Sequence, residues 1–249
     1  MTLKDFFTDH PRTALAFSGG VDSTYLLWAA RDAGAQVRAY FVQSPFQPRF
    51  EREDARRLAK ELGAELCVLD LDVLADPEIA ANPPDRCYFC KRRIFSAIQA
   101  AARADGFPLV IDGTNASDDA GDRPGMRALA ELGVRSPLRE CGLSKAEIRR
   151  RSQAAGLFTW DKPAYACLAT RVPAGEAITA EKLRVTETAE NALFALGFTD
   201  FRVRLLSGFA RVQVPADQMT RLVEQRGEII RQLGPLYQGV LLDLEERHG

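Results

Sequence analysis

Short apolar runs alternate with longer amphipathic stretches through the first part of the chain. Residues 14–17, 37–42, 65–69 and 109–111 have the pattern of buried strands, and residues 135–138 resemble a last short one. Helical spacing fills the gaps: residues 25–30, about 50–62, a stretch opened by 82–91 that runs to about 104, one starting at 122–125, and 144–155. Gly63 and Gly156 stand where helices stop, and Ser144-Lys145-Ala146-Glu147 has the form of a capping box. Strands alternating with helices predict βαβ units, hence an α/β fold with a doubly wound parallel sheet.

The pattern changes after residue 160. Residues 160–175 contain prolines at 163 and 173 and no helical or strand period, so they read as an extended connector. Beyond it come a helix capped by Thr179 and ending near Gly197, a hairpin of 201–206 and 210–214, a helix over about 216–233, and a closing strand at 240–242. The expected organisation is a first domain over 1–160, a connector over 161–178, and a smaller α+β module over 179–249.

Composition narrows the function classes. A net charge of −1 in 249 residues lacks the basic footprint of a nucleic-acid binder. No apolar run reaches membrane-spanning length, and the start lacks the apolar segment of a secretory signal. Five cysteines do not suggest a disulfide framework, so a cytoplasmic chain with reduced thiols is expected. We expect a small nucleotide-like substrate, no nucleic acid or membrane partner, and a homo-oligomer.

Candidate chemistry begins where the first strand meets the first helix. Residues 18–23 read Ser-Gly-Gly-Val-Asp-Ser, followed by Thr24. Gly19 and Gly20 permit positive φ and close backbone approach, the serines add hydroxyl donors, and the new helix turns its first amides toward the loop. That is an anion cradle. It has neither the P-loop spacing nor Gly-x-Gly-x-x-Gly. It resembles the pyrophosphate loop (PP-loop) of the N-type ATP pyrophosphatases, whose fold is the adenine nucleotide alpha hydrolase-like one and which cleave ATP between the α and β phosphates. On that resemblance Ser18, Gly19, Gly20, Val21, Asp22 and Ser23 bind ATP, with Mg²⁺ bridging its phosphates.

Two further stretches belong to the same edge, because ligands in such sheets bind beyond the carboxyl ends of the strands. The polar loop 112–119 offers Thr114 and Asn115 to the nucleotide and Asp118, with Asp22, to the metal. Residues 86–91 read Arg-Cys-Tyr-Phe-Cys-Lys. A closed zinc site needs about four ligands, and no second Cys-x-x-Cys exists. Arg86 and Lys91 suit a phosphate- or carboxylate-bearing ligand, while a partly buried thiol pair at a helix start is an equal reading of the segment. Arg202, Arg204 and Arg211 on the hairpin either contact a phosphate or are solvated.

The match becomes specific at Trp160-Asp161-Lys162-Pro163 and Ala166-Cys167-Leu168-Ala169-Thr170-Arg171, taken with 18–23, 86–91, Gly113-Thr114-Asn115 and Asp122-Arg123-Pro124-Gly125. Together these resemble the LarE family of ATP-dependent sacrificial sulfur transferases of nickel-pincer cofactor biosynthesis. The resemblance implies adenylation of a carboxylate of pyridinium-3,5-biscarboxylate mononucleotide, then attack by Cys167, which surrenders its sulfur and becomes dehydroalanine. Arg171 is then expected to favour that thiolate or to hold the ligand's phosphate, and Arg86, Lys91, Arg123, Arg202, Arg204 and Arg211 to hold substrate. Position 170 is Thr where that family usually has Ser, and the hairpin lacks histidines found in some relatives. Some relatives hold an iron–sulfur cluster; Cys167 is alone in its segment, so none is expected here. The rivals are a PP-loop tRNA thiolase, an amide-forming ligase of the NAD synthetase kind, and a non-catalytic nucleotide sensor.

Overall fold

The computed structural model describes residues 1–118 and 124–247 and divides the chain into two units. The first holds Met1–Val73 and Asp85–Lys162, the second Leu74–Pro84 and Pro163–Gly249. The first unit opens with α1 (Leu3–Asp9), β1 (Arg12–Ala16), α2 (Val21–Asp32), β2 (Gln36–Gln43), α3 (Arg49–Glu61) and β3 (Glu65–Asp70). The short α4 (Pro77–Ala80) lies in the stretch assigned to the second unit. The first unit resumes with α5 (Arg86–Ala104), β4 (Val110–Ile111), α6 (Pro124–Glu131), α7 (Pro137–Glu140) and α8 (Lys145–Ala154), then a 3-10 turn over Phe158–Asp161.

The four strands form a parallel sheet in the order β3-β2-β1-β4. The chain therefore winds outward from β1 to β3 and returns to the other side of β1 for β4. Side chains alternate across the strands, and each face has its own core. Leu15, Val37, Ala39, Phe41 and Ile111 pack with Leu26 and Leu27 of α2, Leu58 of α3 and Ile148 of α8. Ala14, Tyr40, Val42 and Val110 pack with Phe95 and Ile98 of α5 and Leu129 of α6. Burying one such large apolar side chain contributes about 1.5–3 kcal/mol. Helices on both faces of a parallel sheet make the doubly wound α/β architecture that the alternation predicts.

The second unit contains a 3-10 turn at Leu168–Arg171, α9 (Ala180–Ala195), β5 (Arg202–Leu206), β6 (Phe209–Gln213), α10 (Ala216–Glu224), α11 (Arg226–Leu233) and β7 (Val240–Leu242). β5 and β6 are the antiparallel hairpin, and β7 runs parallel to β6, which is central. Leu193, Phe198, Phe201, Val203, Val212 and Leu233 belong to its separate core.

Three details differ from the sequence expectation. Residues 135–138 make a single bridge, Ile111 to Arg135, before Pro137 starts α7. The helix expected over 216–233 breaks at Gln225, whose φ of −90° and ψ of 10° end α10, and both Leu222 and Ile229 reach the same core. The first domain was expected to run unbroken over 1–160, yet Leu74–Pro84 goes with the second unit. Asn82, at φ +55°, donates its side-chain amide to the carbonyls of Val172 (3.3 Å), Pro173 (2.8 Å) and Glu176 (3.2 Å), and the carbonyls of Asn82 and Ala80 accept from the Gly175 and Ile178 amides, both at 2.8 Å.

Asn82→Ala removes the side-chain donor from its three carbonyls, of which Pro173 O keeps the Glu176 amide, and leaves the left-handed region without amide compensation. The second unit should lose about 3 kcal/mol, read as weaker hydrogen-exchange protection of β5 and β6. Unchanged protection there means the amide does not hold the segment.

Candidate functional site

The carboxyl ends of β1 and β4 flank the point where strand order reverses, the place where open α/β sheets bind ligands. A cleft of about 360 Å³ opens there, lined among others by Ser18, Asp22, Ser23, Asp112 and Thr114. Gly19 takes φ +71° and Gly20 caps α2 in extended conformation, so the chain turns sharply from β1 into the helix. Ser18 Oγ lies 3.1 Å from Ser23 Oγ and accepts from the Gly20 amide at 3.3 Å, and Ser23 Oγ accepts from the Ser18 amide at 3.3 Å. Hydroxyls and amides thus converge at the amino end of a twelve-residue helix, where its dipole favours an anion. Val21 is buried and serves packing.

The opposite wall is the 112–118 loop. Asp112 accepts from Thr114 Oγ1 (2.5 Å), the Thr114 amide (3.3 Å) and Ser136 Oγ (2.6 Å), so it organises the loop. Asn115 is buried; its side chain accepts from the Ser117 amide and its own amide donates to Asp118 Oδ2, both at 2.8 Å. A Cβ on Gly113 would come within 3.0 Å of the Ser23 amide nitrogen. The two walls touch there, and any side chain would have to push one of them back.

Asp22 is the unsatisfied group in this cleft. Oδ2 pairs with Lys145 Nζ at 2.6 Å, whereas Oδ1 is buried without a hydrogen-bond partner among the described residues. Burial pushes its pKa up, Lys145 opposes that, and the negative charge of Asp118 adds to the rise. Such a buried orphan oxygen fits one carboxylate ligand of Mg²⁺, which takes one or two carboxylates plus phosphates and water. Among the described residues no three His, Cys, Asp or Glu side chains gather as a self-contained metal site. A magnesium ion held here would be coordinated largely by phosphate and water.

Lys91 also lines the cleft, its stem packed where a Cβ on Gly125 would come within 3.0 Å. Arg86 is only 7% exposed, with its guanidinium 5.8 Å from the Phe46 ring centroid and 3.5 Å from Cys87 Sγ. Cys87 is exposed and Cys90 buried, and all five cysteines are outside disulfides. Arg123 lies outside the described residues, as do Asp119 and Asp122.

Cys167 belongs to the second unit, is partly exposed, and precedes the 3-10 turn. Its carbonyl accepts from the Thr170 amide (3.0 Å) and Thr170 Oγ1 (2.9 Å), a bond that Thr makes as Ser could. Arg171 was expected beside the reacting sulfur, but it is 1% exposed and faces inward. It pairs with buried Glu190 at 2.8 Å and donates to the carbonyls of Ala166 (2.9 Å) and Cys167 (3.4 Å). Arg202, 4% exposed, donates to Ala164 O at 2.6 Å, and Arg204 to Thr170 O at 3.0 Å. Burial, with Arg171 and Arg247 nearby, lowers the Arg202 pKa to about 10. These three arginines hold up an irregular loop whose carbonyls need donors. Arg211 faces Asp243 at 3.5 Å. Arg202, read from sequence as either a phosphate contact or solvated, is neither exposed nor free of partners: it donates to Phe201 O and Ala164 O, both at 2.6 Å.

Sequence reasoning missed Lys145 and Lys162 as parts of the phosphate loop's surroundings. Lys145 carried only a capping-box signal, and Ser144 does cap Glu147 at 3.3 Å. Lys162 carried a motif without a role; its Nζ meets Asp54 Oδ2 at 2.6 Å.

This sheet, switch point and cradle define a PP-loop ATP-using enzyme of the adenine nucleotide alpha hydrolase-like fold. The family model for queuosine biosynthesis protein QueC matches residues 12–82. The pyridinium-3,5-bisthiocarboxylic acid mononucleotide synthase of Lactiplantibacillus plantarum is 35% identical over 98% of this chain and 89% of its own. The chain belongs to that family, the LarE family of ATP-dependent sulfurtransferases. An uncharacterized protein of Synechocystis sp. is 41% identical over 98% of this chain and 92% of its own. The tRNA-specific 2-thiouridylase MnmA of Frankia alni is 32% identical over 61% of this chain and 53% of its own.

Two outcomes test the cleft. Gly113→Ala should leave the protein folded and weaken ATP binding about tenfold, since backbone on both sides must shift; calorimetry showing unchanged affinity removes the close-approach argument. Lys145→Met removes the main opposition to burial of Asp22, leaving only Arg149 against it, so the carboxyl should ionise at higher pH than in the parent chain. A carbon-detected NMR titration reads that directly, and an unmoved midpoint denies Lys145 its role.

Proposed function

We propose that the chain adenylates a carboxylate of pyridinium-3,5-biscarboxylate mononucleotide and converts it to a thiocarboxylate with the sulfur of Cys167. The substrate carboxylate attacks the α-phosphorus of ATP and expels pyrophosphate. The Cys167 thiolate then attacks the acyl carbon and expels AMP, forming a thioester. Removal of the Cα proton of Cys167 breaks its Cβ–S bond, leaving dehydroalanine in the chain and the thiocarboxylate on the product. Ser18, Ser23 and the first amides of α2 receive phosphate oxygens, and Thr114 and Asn115 shape the facing wall. Mg²⁺ coordinated by Asp22, with Asp118 near, would neutralise the charge that builds on the departing pyrophosphate.

The observation that carries this reading is the mounting of Cys167. It stands in an irregular loop whose carbonyls at Ala164, Ala166, Cys167 and Thr170 are each held by an arginine. A residue that must be presented to an electrophile and then lose its Cα proton is better placed there than inside a helix or strand. The name of the Lactiplantibacillus relative, a synthase of the bisthiocarboxylic acid mononucleotide, supports the choice of substrate. Self-association belongs to the same reading and is supported by exposed Val223, Ile230 and Leu244 in the second unit.

Intact-protein mass spectrometry after incubation with Mg-ATP and the pyridinium dicarboxylate mononucleotide tests the reaction. The chain should lose the mass of H₂S at Cys167, and Cys167→Ala should not. Pyrophosphate release with no mass change would leave adenylation standing and assign the sulfur to an external donor. Sedimentation as a monomer at working concentration would remove the oligomer from the reading.

A further inference from the structure

The segment Trp160-Asp161-Lys162-Pro163 takes no part in the chemistry above, yet its lysine reaches the phosphate loop. Lys162 is the last residue of the first unit. Arg149 fixes its backbone by donating to Trp160 O (2.6 Å) and Lys162 O (2.9 Å). Asp54 on α3 anchors its ammonium at 2.6 Å, which stands 5.7 Å from the Phe50 ring centroid. From that anchor Nζ donates to the carbonyl of Gly19 at 3.5 Å.

We propose that Lys162, held by Asp54, is a positioning residue that keeps the Gly19–Gly20 peptide in its anion-binding orientation. The peptide unit is planar, so its C=O and N–H point in opposite directions. Gly19 at φ +71° belongs to the region where glycine rotates freely, and Gly20 is glycine too, so sterics do little to stop this peptide from flipping. Flipped, it would aim a carbonyl dipole into a cradle meant for phosphate. The ammonium draws the Gly19 carbonyl one way, and the Gly20 N–H is thereby left toward Ser18 Oγ, 3.3 Å away. Its contact with the loop is to the Gly19 carbonyl, so we take it to act through that peptide.

The inference rests on ATP being the ligand of this cleft, and one readout is independent of ATP. Asp54 separates positioning from a simple field effect. Removing a carboxylate near a polyphosphate site strengthens ATP binding if only long-range charge matters. If Asp54 works by anchoring Lys162, its removal weakens binding. We expect Asp54→Ala, which favours the helix, to weaken ATP binding about fivefold and Lys162→Met about tenfold. Lys162→Arg should recover part of the loss. In steady state both weakened variants should raise the KM for ATP and leave kcat close to that of the parent chain. Without ATP, the Gly20 amide should exchange faster with solvent in both variants, while the β1 and β2 amides keep their protection.

Equal or tighter ATP binding by Asp54→Ala overturns the proposal, as does a Gly20 amide whose exchange is unaffected by either substitution. If the parent chain itself fails to bind ATP, the ATP reading fails, and the exchange measurement still decides whether Lys162 sets the peptide.

Discussion

The first unit depends on one turn, in which a strand buried on both faces gives way to a helix whose first amides have no partner within the helix. β1 lies at the centre of the sheet with β2 on one side and β4 on the other. α2 buries eight of its residues, so neither element can move to relieve the turn. Free helical N–H groups then project into whatever space the topology leaves, and here they look into the gap between β1 and β4. The 112–118 loop closes that gap until only the hydrogen of Gly113 separates it from the Ser23 amide. Phosphate affinity follows from this geometry, because a concave set of donors that cannot turn elsewhere favours an anion.

Two ion pairs, one half-buried and one buried, divide the remaining work. Asp22–Lys145 leaves a carboxylate oxygen unsatisfied next to the cradle. Desolvation opposes the charged form there, and the lysine keeps it within reach of ionisation. Arg171–Glu190 is almost fully enclosed. Glu190 also accepts from the Val203 amide at 3.1 Å and from the Tyr165 hydroxyl. Removing one partner of such a pair typically costs about 3–5 kcal/mol, since the other is left charged in the interior. One pair stands beside the cradle, the other beneath the loop.

The loop around Cys167 shows how an irregular segment can be made firm. It has no ladder to satisfy its carbonyls, and three arginines with planar forks take that part. Burial lowers the pKa values of Arg202 and Arg204, yet a guanidinium titrating near 10 stays charged at neutral pH. The same side chains that resemble phosphate ligands along the hairpin are therefore spent on backbone.

Apolar periodicity and the Ser-Gly-Gly-Val-Asp-Ser spacing by themselves determined the parallel sheet, the helices on its faces and the place of the phosphate cradle. Those features are local, written in runs of adjacent residues whose burial and φ preferences do not depend on distant partners. Tertiary structure alone decided the rest. The pairing of Lys145 with Asp22 and of Lys162 with Asp54 joins residues 123 and 108 positions apart, and the inward turn of Arg171 and Arg202 depends on carbonyls that only the folded loop exposes. The lending of Leu74–Pro84 to the second unit joins the Asn82 side chain and the carbonyls of Ala80 and Asn82 to backbone more than 90 residues away. A charged side chain in a sequence shows what it can bind; which partner it meets is set by the desolvated geometry around it.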